Sequence, residues 1–300
     1  MRSGWFGLAV AGSVFLASGG AAQETPGDDI TVTGQREVPR AEASRFVRDV
    51  ATTVDGQFAR FHEPVCPMVI GIPENYAEVV TARVRAVARD AGVPLGGSNC
   101  APNILVIVAN DADQLVKSMR KDAPGLFRGL ELDDIRKAMR EGPVHVWSTV
   151  ETRNEDRVGA SAKGSDGGTP GAPGGPPTAG ASSMLVRKAS ILELSTMQAA
   201  VQSVVVIDDD AVLGKTLTQV ADYVAMRTLA GARPPKVGAK SDTILTLFEP
   251  GVTAPPGLTL IDASYLKGVY DTRPQGKGVS QASTIARTIT EDSRERSGMR

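Results

Sequence analysis

Few residues in this 300-residue chain are suited to catalysis or metal binding. The histidines are His62 and His145, and there are no others. Because Pro64 follows His62-Glu63 directly, no helical His-Glu-x-x-His zinc site can form there. A catalytic zinc ion usually needs three protein ligands, most of them histidines, so no metal is predicted. His145 stands two residues before Trp147 in an alternating stretch, which predicts both side chains on one half-exposed face of a strand.

Three consecutive carboxylates, Asp208, Asp209 and Asp210, lie between an apolar run and a predicted helix. Carboxylates there could hold Ca²⁺, but the spaced ligands and the glycine of an EF-hand loop are missing. We interpret them as helix-capping residues with favourable charge near a helix N-terminus. The segment Gly214–Thr216 matches the end of a phosphate-binding loop, but Asp209 stands where that loop needs a glycine. The sequence therefore predicts no cofactor, and its catalytic residues, if it has any, stay unknown.

Cys66 and Cys100 are the only cysteines. Neither has a partner at zinc-site spacing, and we predict that they form a disulfide. Such a bond would close a loop of roughly 35 residues, for which the chain-entropy model gives at most about 4 kcal/mol of stabilisation. A nucleophilic or metal-binding thiol is the alternative.

The N-terminal residues 1–22 have the pattern of a cleavable signal peptide. Arg2 supplies a positive charge, and the stretch from Trp5 to Ala17 is apolar except for Ser13. That length is typical of a signal-peptide core and is too short to span a bilayer of about 30 Å. Small residues end at Ala22, where we place cleavage. We therefore predict an exported protein, which is also the setting in which disulfides persist.

Charge and hydropathy exclude several classes of protein. The chain has 33 Lys+Arg and 34 Asp+Glu, and loss of Arg2 with the signal peptide leaves 32 against 34, a net charge of −2. Such a balanced chain has no general attraction to nucleic acid, and no nucleic-acid partner is predicted. No later segment approaches about 18 consecutive apolar residues, so we predict no transmembrane segment in the mature chain.

A polar leader over residues 23–40 follows the signal peptide. Within it, Asp29–Arg36 reads Asp-Ile-Thr-Val-Thr-Gly-Gln-Arg. This segment resembles the start of the plug region of TonB-dependent outer-membrane receptors, although no barrel can follow in this chain. The resemblance implies a bacterium with two membranes, and hence a periplasmic location, with outer-membrane association or secretion as alternatives. The other interpretation is a polar stretch without a role.

Residues 41–290 alternate between strand-like and helix-like patterns, which predicts an α/β or α+β fold with helices packed on a mixed sheet. Arg83, Arg85 and Arg89 are expected to point away from the apolar face of their helix. The expected helices are 41–61, 73–92, 111–119, 132–140, 213–230, 261–270 and 279–289, and the expected strands are 65–72, 104–108, 144–150, 191–194 and 201–207.

Composition also predicts the boundaries of the domain. Residues 154–183 are mostly Gly, Pro, Ala and Ser, too poor in apolar residues to offset the entropy of ordering, so we predict a disordered insertion there. A division into two domains at this insertion is the alternative to one domain. The charged residues 291–300 are predicted to form a loose tail.

The order and spacing of motifs from Val204 to Gly278 resemble an uncharacterised family of exported proteobacterial proteins that is distantly zincin-like. The motifs are the strand ending in Ile207-Asp208 and the segments Thr218–Tyr223, Ser241–Phe248 and Asp262–Asp271. In a zincin the first of these helices would carry His-Glu-x-x-His, and this helix has no histidine. The resemblance therefore transfers no catalytic residue, and Gln219 and Asp222 are the only ligand candidates on that helix.

Two functions follow from these observations. The first is a non-catalytic periplasmic protein that binds an envelope partner or a small ligand, which the absence of a recognisable nucleophile, base or ligand set favours. The second is a hydrolase with an unrecognised site that lacks the zinc motif. Whether the chain is an enzyme therefore stays open at this point, with binding favoured.

Overall fold

The computed structural model describes residues 37–157, 159, 193–236 and 242–298, and all structural statements below concern these residues. The predicted signal peptide, the receptor-like segment Asp29–Arg36 and most of the predicted insertion lie outside them. No helix of the described part is long and apolar enough to cross a membrane.

A five-stranded mixed sheet forms the centre of the fold, as predicted. The long strand β5 pairs antiparallel with β4 along one side. On its other side it pairs in parallel with β3 and, nearer its start, with the short β1. Strand β2 pairs in parallel with β3 and forms the opposite edge. The strands are β1 (Arg60–Phe61), β2 (Pro67–Ile70), β3 (Ile104–Ala109), β4 (Val144–Asn154) and β5 (Thr196–Asp208).

Helices pack against both faces of the sheet because the central strands are apolar on both. Val205 and Ile207 of β5 face a large core, whereas Val204 and Val206 face a smaller one, as the two-residue period of a strand requires. Helices α1 (Arg40–Val50), α2 (Glu74–Asp90), α6 (Leu217–Leu229), α7 (Leu260–Asp271) and α8 (Gly278–Gly298) contribute to the large core, and α3 (Ala112–Asp122) and α4 (Leu132–Ala138) to the smaller. The short α5 (Asp209–Val212) follows β5.

A close approach fixes the exit from β2. Gly71 has φ +90°, and a Cβ added there would lie 1.9 Å from the backbone oxygen of Val108. No other residue can replace this glycine without moving the chain. Pro73 is the residue directly before α2, and its extended backbone marks the start of that helix.

Several predicted boundaries are wrong, and the strand expected over 201–207 begins already at Thr196. The expected helix over 41–61 ends at Val50, and a turn follows with positive φ at Asp55 and Gly56. The helix expected over 213–230 begins only at Leu217, because Gly214 adopts φ +75° between α5 and α6. Strand β4 extends to Asn154, the first residue of the predicted insertion.

The predicted loose tail is also wrong as far as Gly298, because α8 continues to that residue. The helix is tied to the start of the described chain. The backbone N–H of Val38 donates to Ser293 Oγ at 2.9 Å, and Arg294 pairs with Glu37. Val38 is itself buried, so the folded part begins within the predicted leader.

Candidate functional site

Cys66 and Cys100 lie at disulfide distance, as the sequence predicts. Their sulfur atoms are 2.02 Å apart and their Cα atoms 6.0 Å apart. The pair joins the residue before β2 to the loop that precedes β3. It therefore fastens the edge strand to the strand beside it, and neither thiol is left free.

His145 occupies a different environment from the predicted one. It is buried, as is Trp147, whose ring stacks on Phe127 with centroids 4.7 Å apart. The half-exposed strand face expected here is covered, because α4 and the 3₁₀ turn before it pack on it. His145 Nδ1 lies 2.8 Å from the carbonyl oxygen of Ala138, and Nε2 lies 3.1 Å from Asp113 Oδ1. Nδ1 therefore has a hydrogen-bond partner, whereas Nε2 lies beside the Asp113 carboxylate without an aligned hydrogen bond among the described residues.

His62 follows β1 and is partly buried. Burial, with the nearby positive charges of Arg60 and Arg157, lowers the pKa of His62 to about 4, so the ring is neutral at pH 7. Among the described residues, the single group of three potential metal ligands close together is the aspartate triplet that begins at Asp208.

Asp208 of that triplet caps helices, as predicted, and Asp209 and Asp210 stand in the first turn of α5. Asp208 accepts a hydrogen bond from the backbone N–H of Asp210 at the start of α5. Its other carboxylate oxygen accepts from the N–H of Ala112, the first residue of α3, at 3.3 Å. Thr216 in turn caps α6 in a capping box with Gln219. The segment that resembles the end of a phosphate-binding loop is therefore the N-terminal cap of a helix.

Helix α6 is a core element, and its one acidic residue is fully buried. Asp222 is 0% exposed among the apolar residues of the helix. Its Oδ1 accepts from Arg83 Nε at 2.6 Å. Its Oδ2 accepts from Arg83 Nη2 at 2.9 Å and from the backbone N–H of Leu258 at 2.8 Å. Gln219, the other predicted ligand candidate, donates to the carbonyl oxygen of Pro255. Both ligand candidates are therefore occupied by protein partners.

The orientation of Arg83 was predicted wrongly, because it reaches across to α6 and does not point into solvent. A buried carboxylate needs a cation or several hydrogen-bond donors, and this need is the sequence signal that could have revealed the pair. Hydrogen bonding to Asp222 raises the pKa of Arg83, so the guanidinium is permanently charged. The Arg83 side chain is still 41% exposed. Its Nη1 has no partner among the described residues.

This exposed part of Arg83 lines a cleft of about 390 Å³ between α2, α7 and α8. The lining has both signs of charge. Lys267 and Asp292 form an ion pair of 2.9 Å across it. The remaining lining residues are Val87, Asp90, Ala91, Leu258, Ala263, Ser264, Leu266, Glu295 and Arg296.

Ser264 is another polar group of this cleft. Its hydroxyl is buried and has no hydrogen-bond partner. Lys267 follows three residues later on the same helix, which is the Ser-x-x-Lys spacing of one class of serine acyl-transfer enzymes. Here Lys267 donates to Asp292, and this bond raises the pKa of Lys267. The ammonium group therefore stays charged and is a poor base.

The loop before α7 is held by two buried carboxylates. Gly257 passes so close to Asp222 that an added Cβ would lie 2.8 Å from Oδ2. Asp262 of α7 accepts from Thr243 Oγ1 at 2.5 Å, from Ile244 N at 2.9 Å and from Thr259 N at 3.1 Å. These bonds fix the wall of the cleft that lies beside Leu258.

Comparison with known proteins adds no relative: no family model, no curated protein and no solved structure matches this chain. The resemblance of Val204–Gly278 to exported zincin-like proteins therefore stays a prediction. The function has to be argued from the cleft itself.

Proposed function

We propose that this protein is an exported, non-catalytic binding protein of the cell envelope. Its cleft between α2, α7 and α8 would take a small ligand with both an anionic and a cationic group, such as an amino acid or a short peptide. The bound anionic group would lie against Arg83.

The fixed geometry of Arg83 carries this proposal. The buried carboxylate of Asp222 holds Nε and Nη2 in a bidentate pair, which orients the guanidinium plane before any ligand arrives. Preorganisation of this kind lowers the entropy cost of binding. The exposed edge of the guanidinium remains available for an incoming carboxylate.

The charges around Arg83 favour a ligand that also carries a cation. Asp90 and Glu295 line the same cleft and have no ion-pair partner among the described residues, whereas Asp292 is paired with Lys267. An anion without a compensating positive charge would be repelled by these carboxylates. A zwitterion could satisfy Arg83 and a carboxylate on the wall at the same time.

Export rests on separate observations. The N-terminal sequence has the pattern of a signal peptide, and Cys66 and Cys100 lie at disulfide distance. Both support an oxidising compartment outside the cytoplasm.

The binding proposal can be tested by thermal denaturation of the mature protein with the twenty amino acids and a set of dipeptides. A ligand present at about 100 times its Kd should stabilise the fold by about 2.7 kcal/mol and raise Tm. The stabilisation should disappear in an Arg83→Gln/Asp222→Asn variant, which removes both members of the buried pair together. An Arg89→Gln variant is the control, because Arg89 is exposed on the same helix outside the cleft. No stabilisation by any compound, or equal stabilisation in all variants, would contradict the proposal.

A hydrolase is the second candidate, and the buried, unpartnered hydroxyl of Ser264 is the observation in its favour. Lys267 is unsuited to act as the base for Ser264, because it is paired with Asp292. Incubation with a fluorophosphonate probe and with ester substrates distinguishes the two functions. Labelling or turnover that is lost in Ser264→Ala would support the hydrolase. Unlabelled wild-type protein without turnover agrees with a binding role.

A further inference from the structure

A second cleft, of about 500 Å³, lies between the start of α1 and the first half of α8. Its lining has three cations and three hydroxyl groups and contains no carboxylate. The residues are Arg40, Lys277, Val279, Ser280, Ser283, Thr284 and Arg287. This composition contrasts with the first cleft, where the two signs of charge are balanced.

The helix period explains why the groups of α8 converge. Ser280, Ser283, Thr284 and Arg287 are spaced at i, i+3, i+4 and i+7, which places them on one face of α8. Arg40 comes from α1 and is fixed to that face. Its Nη2 donates to the backbone oxygen of Ser283 at 2.6 Å and to Ser283 Oγ at 2.9 Å. Its Nε and Nη1 have no partner among the described residues.

No carboxylate within the lining offsets this group of cations. The first turn of α8 has no acidic residue. The carboxylate of Glu291 is 3.9 Å from Arg287, and both side chains are more than half exposed, so their pairing is weak. Lys277 has no ion-pair partner among the described residues. Three positive charges are therefore concentrated in one concave site of a chain whose overall charge is close to zero.

We infer that this cleft binds a phosphate group. Arginine guanidinium groups match the geometry of phosphate oxygens and can bind them bidentately, and a lysine and hydroxyl groups supply further donors. The phosphate can belong to a phospholipid headgroup at a membrane surface or to a soluble phosphomonoester. The inference does not depend on the proposed function of the first cleft.

The test uses the mature protein and two probes, vesicles of phosphatidylglycerol in phosphatidylcholine and soluble glycerol phosphate. The test variant is Arg40→Gln/Lys277→Gln/Arg287→Gln. The control is Lys121→Gln/Arg128→Gln/Arg140→Gln, which removes the same charge from exposed residues of the opposite helical layer. Each cation near an anionic surface contributes about fivefold in affinity. We therefore expect the test variant to lose roughly a hundredfold in affinity and the control to lose little.

The outcomes separate the two sources of phosphate. Co-sedimentation with phosphatidylglycerol vesicles that the test variant alone loses supports the inference with a lipid headgroup as ligand. Binding of glycerol phosphate alone, lost in the same variant, supports it with a soluble ligand. An Arg40→Lys/Arg287→Lys variant should retain the charge-dependent part of either binding. Absence of binding to both probes, or equal loss in test and control variants, would overturn the inference.

Discussion

Two buried aspartates on neighbouring helices are stabilised by different kinds of partner. Asp222 of α6 and Asp262 of α7 are both 0% exposed. Asp222 is paired with the cation Arg83, whereas the partners of Asp262 among the described residues are neutral groups of Thr243, Ile244 and Thr259. Burial raises the pKa of Asp262 to about 6, although these hydrogen bonds favour its charged form.

The difference separates a scaffold residue from a residue that acts through its partner. Asp262 is enclosed: it completes the capping box of α7 and fixes the chain at Thr243. Asp222 also affects the surface, because it orients the guanidinium of Arg83, which lines a cleft. Asp262 should therefore matter mainly for stability, and Asp222 for both stability and binding.

The largest expected effect comes from placing a carboxylate without a partner in the buried face of α6. Val224 is fully buried in the large core. Val224→Asp would place a charge there without a cation or donor, and we expect a loss of more than about 4 kcal/mol, enough to abolish cooperative unfolding. Circular dichroism and urea denaturation measure it. Val224→Ala should remain folded, and a folded, stable aspartate variant would show that α6 is not a core element.

Removal of the charge of Asp222 should have the next largest effect. In Asp222→Asn the new amide N–H₂ group faces N–H donors of Arg83 and Leu258, which it cannot accept from. The charge of Arg83 also loses its partner. We expect a loss of about 2–3 kcal/mol, less than for a fully buried pair because Arg83 is 41% exposed.

A double-mutant cycle with Arg83→Gln isolates this interaction. The summed losses of stability in the two single variants should exceed the loss of stability in the double variant. If the two single effects simply add, the pair makes no coupled contribution and the account of Arg83 fails.

The raised pKa of Asp262 predicts that its contribution to the free energy of unfolding falls as the pH rises. An ion-paired aspartate has the opposite effect. The pKa of Asp262, about 6 in the folded state, is higher than the ordinary 3.8, so the folded state binds the proton more tightly than the unfolded state. Its contribution to stability is therefore present at about pH 4 and is lost as the pH rises towards 6. A shift of this size corresponds to about 2–3 kcal/mol.

Asp262→Asn removes this titration. The free energy of unfolding of the variant relative to wild type should therefore rise by up to about 2–3 kcal/mol between pH 4 and pH 6.5. The amide can donate to Thr243 Oγ1, so the variant should still fold. Parallel pH profiles for the two proteins would contradict the raised pKa.

The smallest expected effect concerns the loop that touches Asp222. In Gly257→Ala the new Cβ must displace the carboxylate from its position 2.8 Å away, and we expect a loss of about 1 kcal/mol. Gly97→Ala is the matched control, because nothing lies within 4 Å of the Cβ position there. Equal stability of the two variants would show that the loop can move freely away from Asp222.

The regular parts of the fold were predictable from local patterns. The uninterrupted apolar run at Ile104–Val108 indicates a strand covered on both faces, and β3 is one. Pro73 and the spacing of Tyr76, Val80, Val84 and Val87 indicate α2. The three valines are buried, whereas Tyr76 is 49% exposed, so the predicted apolar face is too long by one residue at its start. These signals are local because each depends only on the period of one element.

The candidate site was not predictable in the same way. Arg83 and Asp222 are 139 positions apart, and their pairing depends on how α2 packs beside α6. Likewise, the burial of His145 depends on α4 lying over its strand, which the alternation within β4 does not encode. Helical period indicates which face of a helix is apolar, but a long arginine at the border of that face can turn either way.

The most direct test of the account is a chemical double-mutant cycle on the first cleft. Calorimetry would measure the affinity of the best-binding dipeptide and of its C-terminal amide for wild type and for Arg83→Gln/Asp222→Asn. If the carboxylate lies against Arg83, amidation should weaken binding to wild type by about tenfold or more, as loss of a charged hydrogen bond does. It should have almost no effect on the variant. Equal losses in both proteins would show that the ligand carboxylate does not contact Arg83 and would contradict the central claim.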